Sequence, residues 1–135
     1  MKVLILGGTG AMGVSLVRIL SENIANEVYV TSRSVHKSFG NVYYIQGNAH
    51  NVEFLKTVLQ GNFDVIVDFM IYTPKEFEKR VELLLNSAKQ YIFLSSSRVY
   101  ADNSFERITE KSPRLLDVCT DREYLETNEY ALAKA

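Results

Sequence analysis

A doubly wound α/β fold on a parallel sheet is what the sequence predicts, from three observations. The chain opens with Val3-Leu4-Ile5-Leu6, a continuous apolar run of the kind buried on both faces of a parallel sheet. That run passes directly into Gly7-Gly8-Thr9-Gly10-Ala11-Met12-Gly13, and then into Val14, Leu16, Val17 and Leu20 at helical spacing. Short apolar runs then alternate with helical patterns along the chain, the rhythm of crossover connections between parallel strands.

The strand, glycine turn and helix at the start form a mononucleotide-binding opening. One glycine permits the tight turn, one lets the backbone approach a pyrophosphate, and one allows the helix to pack close to the strand. Free N–H groups at the helix start, aligned with its dipole, then attract an anion. Two spellings fit: Gly8, Gly10 and Gly13 match G-x-G-x-x-G, while Gly7, Gly10 and Gly13 match G-x-x-G-x-x-G. Gly7, Thr9, Gly10, Ala11, Met12 and Gly13 are the residues expected at the phosphates. A nucleoside-triphosphate loop is disfavoured, because no Lys-Ser or Lys-Thr follows the last glycine.

The second strand is expected over 27–31, closed by Ser32-Arg33-Ser34. In dinucleotide-binding units the residue ending this strand reads the adenosine ribose, and an acid there repels a 2′-phosphate. Here Thr31, Ser32 and Arg33 stand in its place, with His36 and Lys37 close behind. A cationic, hydroxyl-rich pocket of this kind favours NADP over NAD. A third strand, 42–45, ends at Gly47-Asn48, where Asn48 serves either an adenine edge or its own turn. Val52, Leu55, Val58 and Leu59 mark a short helix, and 64–68 with Phe69 a fourth buried strand. Pro74 suits the first turn of the next helix. Phe77, Val81, Leu84, Leu85 and Ala88 form that helix's apolar stripe, with Lys75, Glu78, Lys79, Arg80 and Glu82 on its wet side. The fifth strand is expected over 91–94. Right-handed crossovers give strand order 3-2-1-4-5, with a ligand crevice at the carboxyl ends of strands 1 and 4.

The chain's 135 residues suit one domain, with 47% hydrophobic and 23% charged residues as in ordinary globular proteins. A net charge of −1 gives no electrostatic reason to expect nucleic acid or an anionic membrane as partner. The single Cys119 excludes an intrachain disulfide, fits a reducing compartment, and reads as a spare buried thiol. No signal-peptide pattern and no bilayer-spanning apolar run is present, so a cytoplasmic, soluble protein is expected. No metal ligand set is assigned.

Strand 5 runs into Ser95-Ser96-Ser97-Arg98-Val99-Tyr100, and Tyr130-Ala131-Leu132-Ala133-Lys134 follows later. Tyr130 and Lys134 lie one helical turn apart, on one face. In this order, with Gly7, Gly10 and Gly13 first, the whole chain resembles the extended short-chain dehydrogenase/reductases, the NAD-dependent epimerase/dehydratase family. The resemblance implies the N-terminal, NAD(P)-binding Rossmann portion of such an enzyme, with Ser96 (Ser97 as the fallback), Tyr130 and Lys134 as catalytic residues. Lys134 would stabilise a Tyr130 phenolate, which takes the proton of a substrate hydroxyl while hydride passes to nicotinamide. Ser96 would hydrogen-bond the same oxygen. Lys134 would also bond the nicotinamide ribose, and Phe69 would stand beside the cofactor. The implied substrate is a nucleotide sugar or related hydroxyl compound.

Two departures qualify the carry-over. Dehydratases of the family place Asp-Glu after the catalytic hydroxyl, where this chain has Ser97-Arg98, so epimerisation or simple oxidoreduction is preferred. The small-residue turn after strand 4 is replaced by Phe69-Met70-Ile71-Tyr72-Thr73, which either narrows the nicotinamide side or simply packs. The chain ends one turn into the helix carrying Tyr130 and Lys134. It is therefore expected to be part of a longer enzyme, inactive by itself, with residues near 101–135 loosely held or paired with a second copy. The family often dimerises through that helix, so a homodimer is one expected state. The rival reading, of another class, is a non-catalytic NADP-binding sensor or scaffold module.

Overall fold

The structure, a computed structural model, describes residues 1–101, 107–127 and 129–134. Five strands form one sheet of order β3-β2-β1-β4-β5: β1 (Lys2–Leu6), β2 (Glu27–Ser32), β3 (Val42–Gln46), β4 (Phe63–Asp68) and β5 (Ala88–Phe93). Every pairing is parallel, and the order is the one expected. β1 is central, with Val3 opposite Val28 on one side and Val65 on the other. Its run from Val3 to Leu6 is buried throughout, as a strand covered on both faces requires.

The alternating side chains of β1 feed two cores. Val3 and Ile5 join Val17, Val28, Val30, Val42 and Val67 beneath α1 (Ala11–Ser21). Leu4 and Leu6 join Leu55, Leu59, Phe63, Ile66 and Leu84 beneath α2 (Val52–Leu59) and α4 (Val81–Leu85). Burying each such aliphatic side chain contributes roughly 1.5–3 kcal/mol, enough to hold helices on both faces of the sheet. α2 starts where Asn51 Oδ1 accepts from the Glu53 (2.9 Å) and Phe54 (3.1 Å) N–H groups.

The single helix expected after Pro74 is two short ones, α3 (Pro74–Glu78) and α4. Thr73 and Glu76 close a capping box at the start of α3, with Pro74 at its first turn. The break falls at Lys79 and Arg80, and Arg80 lies inward instead of on the wet side, only 2% exposed. Its guanidinium sits 4.3 Å from the Tyr72 ring centroid and donates from Nη2 to the His50 carbonyl (3.2 Å). One continuous helix would leave Arg80 on the outer face. Ending the first helix turns it in, exposes Leu85, and hands Ala88 to β5, which runs Ala88–Phe93 instead of 91–94.

After β5 come a 3₁₀ turn (Ser97–Val99) and three short helices, α5 (Leu115–Val118), α6 (Arg122–Leu125) and α7 (Tyr130–Lys134). Residues 102–106, 128 and 135 of the segment expected to be loose lie outside the described residues. Cys119, expected to be buried, is partly exposed at the end of α5. Among the described residues no helix is long and apolar enough to cross a membrane.

Candidate nucleotide-binding site

The glycine turn is built by distinct uses of each glycine. Gly7 has φ +71°, a conformation that a side chain would strain. A Cβ on Gly13 would lie 2.6 Å from the backbone of Gly8, so α1 rests directly on the turn. A Cβ on Gly8 would meet Val30 Cγ1 at 2.7 Å and Ile5 Cγ2 at 2.9 Å, which places Gly8 against the sheet. A Cβ on Gly10 would meet only the Gly7 carbonyl oxygen, at an ordinary 3.8 Å, and Gly10 caps α1 without any side-chain partner. Of the two spellings, Gly7 and Gly10 face the crevice, Gly13 sets the helix approach, and Gly8 serves packing.

A cavity of about 430 Å³ opens at the carboxyl ends of the strands. Gly7, Thr9 and Gly10 form one wall; Thr31, Ser32 and Arg33 form the second. Gly47, Asn48, Ala49 and His50 close the far side, with Phe69, Met70 and Ile71 opposite. Among the described residues no carboxylate lines it. The first turn of α1 carries no acidic residue either, so its N–H groups and dipole remain available to an anion. A dinucleotide fits this chemistry: an open turn for a pyrophosphate and one exposed guanidinium, Arg33, at the end of β2. When bound, nicotinamide would supply the hydride acceptor. Gly7, Thr9, Gly10 and the α1 N–H groups are what would hold the dinucleotide's phosphates.

The other expected residues divide. Ser32 is buried, and its Oγ accepts from the Ser34 N–H (3.1 Å). Asn48 lines the cavity while its Oδ1 accepts from the His50 N–H (3.1 Å), the turn role. Ala11 and Met12 lie exposed in the first turn of α1, beside the cavity rather than on its wall. Of the bulky segment after β4, Phe69, Met70 and Ile71 face the cavity, while Tyr72 turns into the interior. Thr31, named from the sequence with Ser32 and Arg33 at the ribose end, accepts the Gly7 N–H at 3.3 Å and lines the cavity.

At the reacting end, α7 packs on the 3₁₀ turn. Arg98 Nη2 pairs with Glu129 Oε1 at 2.7 Å, and Ser95 Oγ donates to the Lys134 carbonyl at 2.8 Å. Ser96 Oγ accepts from the Arg98 N–H (3.3 Å). Tyr130 is 38% exposed, and among the described residues no hydrogen bond joins it to Ser96 or Lys134. Lys134 is 5% exposed; its Nζ donates to the carbonyls of Met70 (2.6 Å) and Leu94 (2.7 Å) above the Phe93 ring. Burial pushes this ammonium below the ordinary lysine range, against the pull of Asp68. Ser96, Tyr130 and Lys134 thus share a neighbourhood but do not line the cavity.

Behind the wall lies a group the sequence reading passed over. Asp68, fully buried at the end of β4, accepts from the Met70 N–H (2.8 Å) and from the Tyr72 (3.0 Å) and Tyr91 (2.9 Å) hydroxyls. Burial raises its carboxyl above the usual range, and those donors and Lys134 only partly offset it. No sequence signal marks it, because hydropathy assigns Asp68 to water just as it does Asp64 in the same strand.

No protein-family model matches the chain, and no curated protein matches it in sequence. Solved structures do match. The Bordetella bronchiseptica enzyme WbmH in complex with NAD+ superposes with a TM-score of 0.74 at 14% identity, over 98% of this chain and 48% of that one. The dTDP-glucose 4,6-dehydratase of Bacillus anthracis in complex with NAD gives 0.71 at 20% identity, over 100% and 47%. The UDP-glucuronic acid 4-epimerase of Bacillus cereus in complex with NAD gives 0.65 at 21% identity, over 84% and 45%. The chain therefore spans about half the length of the solved structures it matches. Likeness at these identities is likeness of fold, and the chain has the Rossmann-type α/β fold of the matching parts of these proteins.

Proposed function

We propose that this chain is the dinucleotide-binding portion of an NAD(P)-dependent oxidoreductase of the epimerase type, acting on a nucleotide sugar or a related hydroxyl compound. The observation that carries the reading is the cavity between the glycine turn and Arg33, which no carboxylate lines among the described residues. It is supported by three similar structures that hold NAD or NAD+, two of them named for sugar-nucleotide chemistry. Arg33 at the end of β2, with no acid beside it on the cavity wall, favours NADP over NAD. Ser96, Tyr130 and Lys134 are the proposed catalytic residues, Tyr130 as the proton acceptor and Ser96 as the hydrogen-bond donor to the reacting oxygen. Ser97-Arg98 in place of an acidic pair favours epimerisation or oxidoreduction over elimination, and Arg98 is already engaged by Glu129.

A second reading, a non-catalytic dinucleotide sensor or scaffold, is favoured by one observation: Lys134 Nζ donates to the main-chain carbonyls of Met70 and Leu94. Two measurements decide. Calorimetric titration with NADPH and NADH is expected to give tighter NADPH binding, with the preference lost in Arg33→Ser; tighter NADH binding would overturn the Arg33 assignment. In a longer chain that turns over substrate, Tyr130→Phe is expected to abolish turnover and spare cofactor binding. Unchanged turnover would overturn the enzymatic roles.

A further inference from the structure

The peptide of Met70 is held at both ends by opposite charges. Its N–H donates to the buried Asp68 carboxylate at 2.8 Å, and its carbonyl accepts from the buried Lys134 ammonium at 2.6 Å. Asp68 is fixed in turn by the Tyr72 and Tyr91 hydroxyls, and Lys134 also bonds the Leu94 carbonyl that follows β5. Neither Asp68 nor Lys134 lines the cavity, but Met70 does, and its Sδ lies 3.1 Å from where a Cβ on Gly7 would stand. The residue touching the glycine turn is thus the residue gripped from behind. One jaw belongs to the sheet and the other to α7, more than sixty residues away in sequence (|i−j| = 64). Charge-assisted hydrogen bonds in a desolvated site are the strong ones, so this contact outweighs an exposed pair of equal length.

We propose that Asp68 and Lys134 are positioning residues that clamp the Met70 peptide, so that docking of α7 sets the wall of the dinucleotide cavity. The proposal rests on the dinucleotide reading for its ligand, and by linkage a bound dinucleotide should hold α7 more firmly in place.

The chain has three methionines, and Met1 contributes no backbone amide signal, so protein labelled with ¹⁵N-methionine gives two amide resonances. Met70 reports the clamp, and Met12, in the first turn of α1, reports the phosphate end. In Lys134→Leu, hydrogen exchange at Met70 should accelerate by about tenfold or more, as loss of a charge-assisted bond implies. NADPH affinity should fall in Lys134→Leu and also in Asp68→Asn, which cannot touch the ligand. Lys134→Arg, which keeps a cationic donor, should restore both readouts. Unchanged exchange at Met70 in Lys134→Leu overturns the clamp. Faster exchange with unchanged NADPH affinity overturns its hold on the cavity wall. If Asp68→Asn fails to fold, exchange at Met70 in Lys134→Leu and Lys134→Arg still judges the clamp, because that readout needs no ligand contact. If NADPH leaves the wild-type Met12 resonance unmoved, the dinucleotide reading falls, and Met70 exchange alone judges the clamp.

Discussion

Asp68 is the residue at which burial and function meet. Its carboxylate is fully buried, with three donors around it, and burial still raises its proton affinity in the folded state. Between the ordinary carboxylate range and that raised value the folded chain binds more protons than the unfolded one. Stability therefore falls as pH rises across this window and is complete below it. Asp64 and Glu76 have the opposite sign: hydrogen bonds from Lys89 and from the Thr73 backbone lower them, so their contribution is lost as pH falls. Replacing Asp68 with Asn removes the titration. The stability difference between wild type and Asp68→Asn is expected to narrow as pH rises from the acid end towards neutrality, read by urea unfolding at several pH values. A difference constant with pH would show that Asp68 titrates alike in both states. Tyr72 and Tyr91 move with it, their hydroxyls pushed up first by burial and then by the Asp68 charge. None of this was legible from the sequence. Hydropathy patterns assign charges to water, and only the fold shows that Asp68 and Arg80 face inward.

The elements were legible in proportion to how far local signals determine them. Four strands and the first helix follow from apolar runs and glycines that have no other use. Residues 75–87 contain neither Gly nor Pro, so nothing in the sequence marks the break at Lys79 and Arg80. The break is tertiary in origin: Arg80 gains the Tyr72 ring and the His50 carbonyl, although its Nε and Nη1 remain without partners. With only five residues, α3 depends on its start, where Thr73 Oγ1 accepts from the Glu76 N–H at 3.3 Å and Glu76 Oε2 takes the Thr73 N–H at 2.8 Å. Short helices are marginal without such caps. Thr73→Ala is expected to lower stability by about 1 kcal/mol, while Thr73→Ser should cost little. Both are measurable by chemical denaturation. Equal losses in the two variants would mean that the threonine methyl, and not the cap, holds α3. The same segment positions His50, which lines the cavity and whose Nδ1 lies 3.5 Å from Glu76 Oε1 behind it.

At the scale of the whole molecule, the parallel sheet brings its five carboxyl ends to one edge, and the cavity-lining candidates follow from that edge. The cavity at that edge was legible because glycine spacing and the end of β2 are local features. The relation of Tyr130 and Lys134 to the cavity was not, because it depends on how α7 meets β4 and β5. Gly13 connects stability to binding across this edge. A side chain there would stand 2.6 Å from Gly8 Cα, C and O, and backbone atoms cannot yield as a flexible side chain can. α1 would have to lift from the turn, and its N–H groups would leave the place proposed for the pyrophosphate. Overpacking of this kind costs roughly 1–3 kcal/mol. A ligand at a hundred times its dissociation constant adds about 2.7 kcal/mol to a protein that binds it only when folded. Thermal melts with and without NADPH separate the two effects. The wild type is expected to gain a clear upward shift with NADPH, whereas Gly13→Ala should melt lower and gain none. A Gly13→Ala protein that melts lower yet keeps the full shift would detach the close approach of α1 from ligand binding and leave it a matter of packing alone.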